Sequence, residues 1–113
     1  NIYITQLKYF PSKLPFVKDG DIFLRFPIIL QNNLRQKDML KAFKKNKILI
    51  GDWYSNVIDP AGVDFKKVGY TVGSCPNAEY AAKHVINLPT YSAIKTNDIK
   101  KLIKVMAGYV ENK

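Results

Sequence analysis

The sequence predicts a small α/β domain of the α+β kind, with a sheet of about three strands and helices packed on one face. Short β-branched and aromatic runs alternate with stretches whose apolar residues recur every three or four positions, which is typical of a sheet covered by helices. A chain of 113 residues allows one modest core. Apolar residues make up 47% of it and charged residues 24%, which indicates a folded domain.

The N-terminal segment, residues 1–21, gives the weakest structural signal. Pro11 and Pro15 interrupt any long helix because proline removes a backbone donor and clashes with the preceding turn. We therefore expect an irregular lead-in or interdomain segment here, followed by the domain itself at residues 22–113.

The first half of the domain predicts a strand, a helix and a second strand. Residues 22–30 read IFLRFPIIL and predict a strand, in which Pro27 favours a sheet edge or a bulge. Residues 34–45 predict an amphipathic helix with lysines on its polar face. Asn46 favours its end, because asparagine tolerates the left-handed conformation, and residues 48–50 predict a strand.

The segment at residues 51–73 predicts a long loop, since it holds four of the six glycines and no periodic pattern. Loops of this length inside a compact domain are usually functional.

A short helix and a buried strand follow. Pro76 is suited to the first helical turn and Ser74 to the cap before it. The apolar run at residues 85–88 predicts a strand that Pro89 ends.

The last helix is expected from Thr96, as its cap, with Asp98 in the first turn where a carboxylate is favourable. Its predicted buried stripe consists of Ile99, Leu102, Ile103, Met106 and Val110.

The charge balance favours anionic partners, because 18 basic and 9 acidic residues leave a net charge of +9. Such a charge is compatible with three classes of partner: nucleic acid, a phosphorylated small molecule and acidic lipid. More commonly, lysines spread in this way simply lie on solvated helix faces. With one histidine and one cysteine, the chain is not expected to hold a metal site. A single cysteine cannot form an internal disulfide, and this favours a cytoplasmic location for the protein. No apolar run approaches the roughly 20 residues of a membrane-spanning helix.

Four residues are candidates for ligand binding. Trp53 and Tyr54 offer flat faces suited to a sugar or a base, but aromatic rings also commonly fix a loop to its own core. Arg25 is able to hold a carboxylate or phosphate through two N–H groups, or to lie in plain solvent on the strand face opposite Leu24. Asp59 is either a contact for a sugar hydroxyl or, more commonly, a solvated turn residue before proline.

Four segments together carry a family resemblance: LRFPIIL, LRQKDMLKAFKKNKILIGDWY, CPNAEYAAKHVINLPTY and TNDIKKLIKVM. In this order they resemble the C-terminal small domain of the DegT/DnrJ/StrS group of pyridoxal-phosphate-dependent sugar aminotransferases, which have the type I fold. The resemblance covers residues 22–112. Its most specific part is the helix with Pro76, Ala78 and Glu79, followed by the strand end at Leu88 and Pro89.

The resemblance implies an enzyme that moves an amino group from an amino acid such as glutamate to the keto-sugar of a sugar nucleotide, in polysaccharide biosynthesis. The family's catalytic lysine, the aspartate on the pyridinium nitrogen and most phosphate ligands belong to the N-terminal domain, and its members are homodimers. No segment here matches the lysine-bearing motif, so the fragment alone is expected to be inactive and to bind no cofactor.

The family also implies a place for the candidate site. A tyrosine after the second strand is matched by Tyr54, while Asp59 replaces the histidine that family members often carry five positions later. The implied role of this loop is one wall of the substrate cleft.

Two other classes stay open at this point. The basic balance and the aromatic residues would suit a nucleic-acid-binding module, although lysines outnumber arginines and no nucleic-acid signature is present, so this partner is the less favoured. A protein-interaction domain without its own chemistry differs little in sequence from the aminotransferase fragment.

Overall fold

A three-stranded antiparallel sheet in the order β1-β2-β3 organises the computed structural model, which describes residues 2–111. In chain order the elements are α1 (Ile2–Gln6), β1 (Ser12–Lys13), β2 (Phe26–Leu30), α2 (Gln36–Lys45), α3 (Pro76–His84), β3 (Val85–Leu88) and α4 (Thr96–Glu111). The prediction of a small α+β domain with about three strands is therefore confirmed.

The core lies on one face of β2 and β3. Phe26 pairs with Leu88 and Ile28 pairs with Ile86, so these four side chains share one side of the pleat, and all are buried. Residues of α1, α2 and α4 cover them in one apolar cluster, which includes Tyr3, Leu7, Met39, Phe43, Ile99, Leu102 and Met106. Burial of this area is the main source of the stability of the fold.

The N-terminal segment is more regular than the sequence predicted. Residues 2–6 form α1 and residues 12–13 pair with β2, so the expectation of an irregular lead-in over residues 1–21 is wrong for these parts. Their order depends on long-range contacts: the Tyr3 hydroxyl donates to the carbonyl oxygen of Pro89 at 2.7 Å, and its ring lies 5.2 Å from that of Phe26. Local sequence patterns do not contain such contacts.

Both predicted strands of the first half need correction. β2 starts only at Phe26, because its partner Leu88 is the last residue of β3, and the preceding Ile22 and Leu24 are 95% and 89% exposed. Residues 48–50 have no regular secondary structure and pair with no strand among the described residues, so the predicted strand is wrong.

Pro27 lies in the central strand but beyond the two residues that β1 pairs, so it has a strand neighbour on one side only.

The predicted ends of α2 and α3 are partly right. Asn46 is the C-cap of α2, but the left-handed residue is the next one, Lys47, with φ 59°. The prediction of Ser74 as cap of α3 is wrong, since Cys75 has the cap position and the Ser74 hydroxyl donates to the carbonyl oxygen of Thr71 at 2.5 Å.

The prediction of Thr96 as the cap of α4 is wrong by one position, because Thr96 is the first helical residue and Lys95 precedes it. The Asp98 carboxylate accepts from the N–H of Lys95 at 3.0 Å. In the predicted stripe, Ile99, Leu102 and Met106 are buried, whereas Ile103 and Val110 are partly buried. None of the helices in residues 2–111 has both the length and the apolar character needed to cross a membrane.

Candidate functional site

Three of the four candidate residues meet outside the core, next to the start of β2. The central carbon of the Arg25 guanidinium lies 4.0 Å from the centre of the Trp53 ring and 5.7 Å from that of Tyr54. An Arg25 Nη1 group also donates to the Tyr54 hydroxyl over 3.4 Å. We call these three residues the Arg25 stack. A cation over two aromatic rings is attracted by their negative faces, which restricts the orientation of the guanidinium plane.

Two polar residues of the β3 region hold the halves of the Arg25 stack in place. Thr90 Oγ1 donates to the carbonyl oxygen of Leu24, the residue before Arg25, at 2.8 Å. Asn87 Nδ2 donates to the carbonyl oxygen of Trp53 over 3.4 Å. Neither residue was predicted from the sequence, although a polar side chain inside the apolar run of β3 is a signal for Asn87.

Gly51 leaves room for the Trp53 ring. A Cβ atom at Gly51 would lie 2.7 Å from Trp53 Cδ1 and 2.9 Å from Nε1, closer than real Cβ contacts permit. The next ring of the stack has a strained backbone, because Tyr54 has φ 64°, a left-handed value that is uncommon for a bulky residue. The local chain is therefore shaped to present these two rings side by side.

The two rings do not fix the loop to the core. Trp53 is 57% exposed and Tyr54 is 55% exposed, and neither belongs to the apolar core cluster. Of the two interpretations left open by the sequence, core packing is the one that this exposure disfavours.

An apolar groove of about 680 Å³ runs along one side of the Arg25 stack. Its lining includes Arg25, Trp53 and three exposed aliphatic side chains, of Ile22, Leu24 and Leu49. This groove therefore offers apolar contact area and one group that binds anions.

Asp59 lies in a second, smaller cavity on the other side of Trp53. This loop depression has a volume of about 550 Å³ and is lined by Trp53, Tyr54, Asp59 and Asp52, among others. Asp59 shares the cavity with the two rings, and within residues 2–111 it makes no contact with Arg25. The structure thus brings Arg25, Trp53 and Tyr54 into contact and places Asp59 beside the rings.

Tyr3 lies behind the apolar groove, where its hydroxyl binds the carbonyl oxygen of Pro89, a lining residue. Burial, with a smaller contribution from the charge of Tyr91, raises the pKa of Tyr3 to about 12. The hydrogen bond therefore persists through the neutral and mildly alkaline range.

The described residues do not fit the pyridoxal phosphate group that the sequence resemblance implies. A lysine that forms a Schiff base is activated by desolvation or by neighbouring cationic groups, and every lysine within residues 2–111 is exposed. The same part of the chain contains no cluster of His, Cys, Asp and Glu able to hold a metal ion.

Comparison with known proteins identifies one family. The model of the DegT/DnrJ/EryC1/StrS aminotransferase family matches residues 1–107, which include α1 and β1 as well as the Arg25 stack. No curated protein and no solved structure matches the chain. Because the family match spans nearly the whole sequence, the chain belongs to the DegT/DnrJ/EryC1/StrS aminotransferase family.

Proposed function

We propose that this chain is the C-terminal domain of an aminotransferase that transfers an amino group from an amino acid such as glutamate to the keto-sugar of a sugar nucleotide. In this proposal the Arg25 stack forms a wall of the substrate cleft. The observation that carries it is the guanidinium of Arg25 held 4.0 Å above the Trp53 ring, at the junction of two cavities.

Arg25 is the anion-binding group of this wall. A guanidinium has five N–H donors, and within residues 2–111 its hydrogen-bond partner is the Tyr54 hydroxyl at the long distance of 3.4 Å. Trp53 lies over the guanidinium and Tyr54 accepts from one N–H group, while the remaining N–H groups are those that bind a carboxylate or phosphate. Both anions occur in the proposed reaction, since the amino donor has a carboxylate and the sugar nucleotide has phosphates.

The rings and Asp59 supply the surface for a sugar. Trp53 and Tyr54 expose flat faces of the kind that pack on sugar rings, and Asp59 places a carboxylate in the same cavity. An ionised carboxylate only accepts hydrogen bonds, whereas the histidine common at this position in the family also donates them. Asp59 therefore favours a ligand hydroxyl, which donates.

The cofactor belongs to another part of the enzyme in this proposal. The family generally uses pyridoxal phosphate, and the exposed lysines of this chain support a catalytic lysine in an N-terminal domain. The exposed Ile22, Leu24 and Leu49 beside the Arg25 stack support packing of that domain along the groove. The parent enzyme is expected to be a homodimer of the cytoplasm, and this chain alone to be inactive.

The test is steady-state kinetics of the full-length protein, supplied with pyridoxal phosphate, L-glutamate and a uridine-diphosphate keto-sugar as the amino acceptor, with Arg25→Gln and the matched variant Arg35→Gln. Arg35 is the only other arginine, and it is exposed at the start of α2. We expect Arg25→Gln to raise the KM for glutamate about tenfold or more, or to weaken inhibition by free uridine diphosphate to the same extent. The first result assigns a carboxylate to Arg25 and the second a phosphate.

Arg35→Gln should change neither constant. Unchanged constants in Arg25→Gln, or equal changes in both variants, would contradict the role of the Arg25 stack. Absence of any glutamate-dependent reaction in the full-length protein would contradict the proposed activity itself.

A further inference from the structure

A lysine-rich surface runs along the cleft between α2 and α4, and one end of it adjoins the apolar groove, with which it shares Leu49, Pro89 and Tyr91. It consists of two adjoining depressions of about 530 and 350 Å³ that have Lys101 as a common wall. Lys45 and Lys104 line the first depression, and Lys47 lines the second. We call this surface the lysine groove.

The charges of the lysine groove are not balanced by neighbouring acids. Its four lysines are exposed, and none has an ion pair within the described residues. Asp98 is the one carboxylate among the lining residues, and its Oδ2 atom already accepts from the N–H of Lys95 at 3.0 Å. Several like charges along a concave wall add their potentials and raise the local concentration of anions.

Two aromatic rings accompany the lysines. Tyr91, which is 58% exposed, lines the depression that contains Lys47 and is open for stacking. Tyr109 lines the depression that contains Lys104, but it is partly buried and packs against the core. Cations that follow a phosphate backbone, combined with rings on which bases stack, are the two elements of single-strand binding surfaces. A bilayer is broad and flat and contacts such a cleft only at its rim. Inorganic polyphosphate has no bases that stack on an aromatic ring.

We propose that the lysine groove binds single-stranded nucleic acid through the phosphates and stacks a base on the exposed ring of Tyr91. The lysine groove contains neither Arg25 nor Trp53, so this binding does not require the proposed aminotransferase activity, although Tyr91 also lines the apolar groove. The contacts are with the backbone and with ring faces, so little sequence preference is expected.

The test is fluorescence anisotropy of a labelled oligouridylate of about 12 nucleotides, within the site sizes of single-strand binding modules. It is titrated with the chain at several salt concentrations, for the wild type, the double variant Lys101→Gln/Lys104→Gln and the control Lys66→Gln/Lys67→Gln. The control removes the same charge from exposed lysines of the long loop. Tyr91→Leu tests the ring, and phosphatidylserine vesicles and inorganic polyphosphate serve as competitors.

We expect salt-sensitive binding to the wild type and the control. The groove variant should bind about tenfold more weakly, with a salt slope lower by about 1.4, since each phosphate contact on a single strand contributes about 0.7. Tyr91→Leu should weaken binding about tenfold at an unchanged slope. No binding, an equal loss in the control, or competition by vesicles or polyphosphate as strong as that by unlabelled oligouridylate would overturn the proposal.

Discussion

Arg25 and Trp53 are 28 positions apart in sequence, yet the Arg25 guanidinium carbon lies 4.0 Å from the centre of the Trp53 ring. The contact joins the start of β2 to the long loop, and the β3 region holds it from both sides through Thr90 and Asn87. These contacts restrict the orientation of a cation at the rim of an apolar groove, and no carboxylate within residues 2–111 forms an ion pair with it. This is the arrangement expected of a group that waits for an anionic ligand.

Arg25→Gln should uncover one face of the Trp53 ring. Trp53 is the only tryptophan of the chain, so the Stern–Volmer constant for acrylamide quenching of its fluorescence should rise in this variant. The free energy of unfolding should change by less than about 1 kcal/mol, as for an exposed cation–π contact. Arg35→Gln is the matched control and should leave the quenching constant unchanged. Equal quenching in wild type and Arg25→Gln would show that the contact is not populated.

Gly51→Ala should displace the Trp53 ring, because the new Cβ atom would lie 2.7 Å from Cδ1. The expected result is a shifted Trp53 emission maximum with little loss of stability, since the ring is mostly exposed and is free to rotate away. Gly108→Ala is the control, because nothing lies within 4 Å of its added Cβ atom. This variant should keep the emission and stabilise α4 by about 0.5 to 1 kcal/mol. An unshifted emission maximum in Gly51→Ala would contradict the packing described for Trp53.

Tyr3 should make the fold sensitive to alkaline pH. Its pKa is raised from 10.0 to about 12, so the folded protein holds this proton more tightly than the unfolded chain does. The stabilisation is therefore complete below pH 10 and is lost as the pH rises towards about 12. Urea denaturation at pH 9 and at about pH 11 to 12 should show that the wild type loses about 2 kcal/mol more than Tyr3→Phe. The same loss in both proteins would contradict the role of Tyr3.

Gln36 should stabilise the fold through a buried hydrogen bond to β3. Its side chain is buried, and its Nε2 group donates to the carbonyl oxygen of Val85 at 2.7 Å. Gln36→Met keeps the volume but leaves that carbonyl oxygen without this donor, which should lower the free energy of unfolding by about 1 to 3 kcal/mol. Gln6→Met, at an exposed position of α1, should change it by less than about 0.5 kcal/mol in chemical denaturation. A similar effect of both substitutions would show that the hydrogen bond contributes nothing.

The parts of the fold with local causes were predictable from the sequence. Pro76 and Pro89 mark the start of α3 and the end of β3, and both boundaries lie where the proline rules place them. The start of β2 was not predictable, because Phe26 is the first residue with a partner on β3 and the apolar Ile22 and Leu24 before it have none. Pairing between distant segments decides a strand, and single-sequence patterns do not contain it.

In the candidate site, too, the residue types were predictable from the sequence and their contacts were not. Residue type alone pointed to Arg25, Trp53, Tyr54 and Asp59, but only the folded chain shows that the first three touch and that Asp59 lies beside the rings. Asn87 and Gly51 were not predicted from the sequence. Asn87 acts through a hydrogen bond to a distant carbonyl oxygen, and Gly51 leaves space for the Trp53 ring.

The most direct test of the central claim is hydroxyl-radical footprinting of the full-length protein, with pyridoxal phosphate, in the presence and absence of L-glutamate and a uridine-diphosphate sugar. Mass spectrometry then gives the oxidation rate of each aromatic residue. The account predicts that the ligands slow the oxidation of Trp53 and Tyr54 several-fold and leave Tyr9, which is 89% exposed and lines neither cavity, unchanged. Equal rates at Trp53 and Tyr54 with and without the ligands would contradict it.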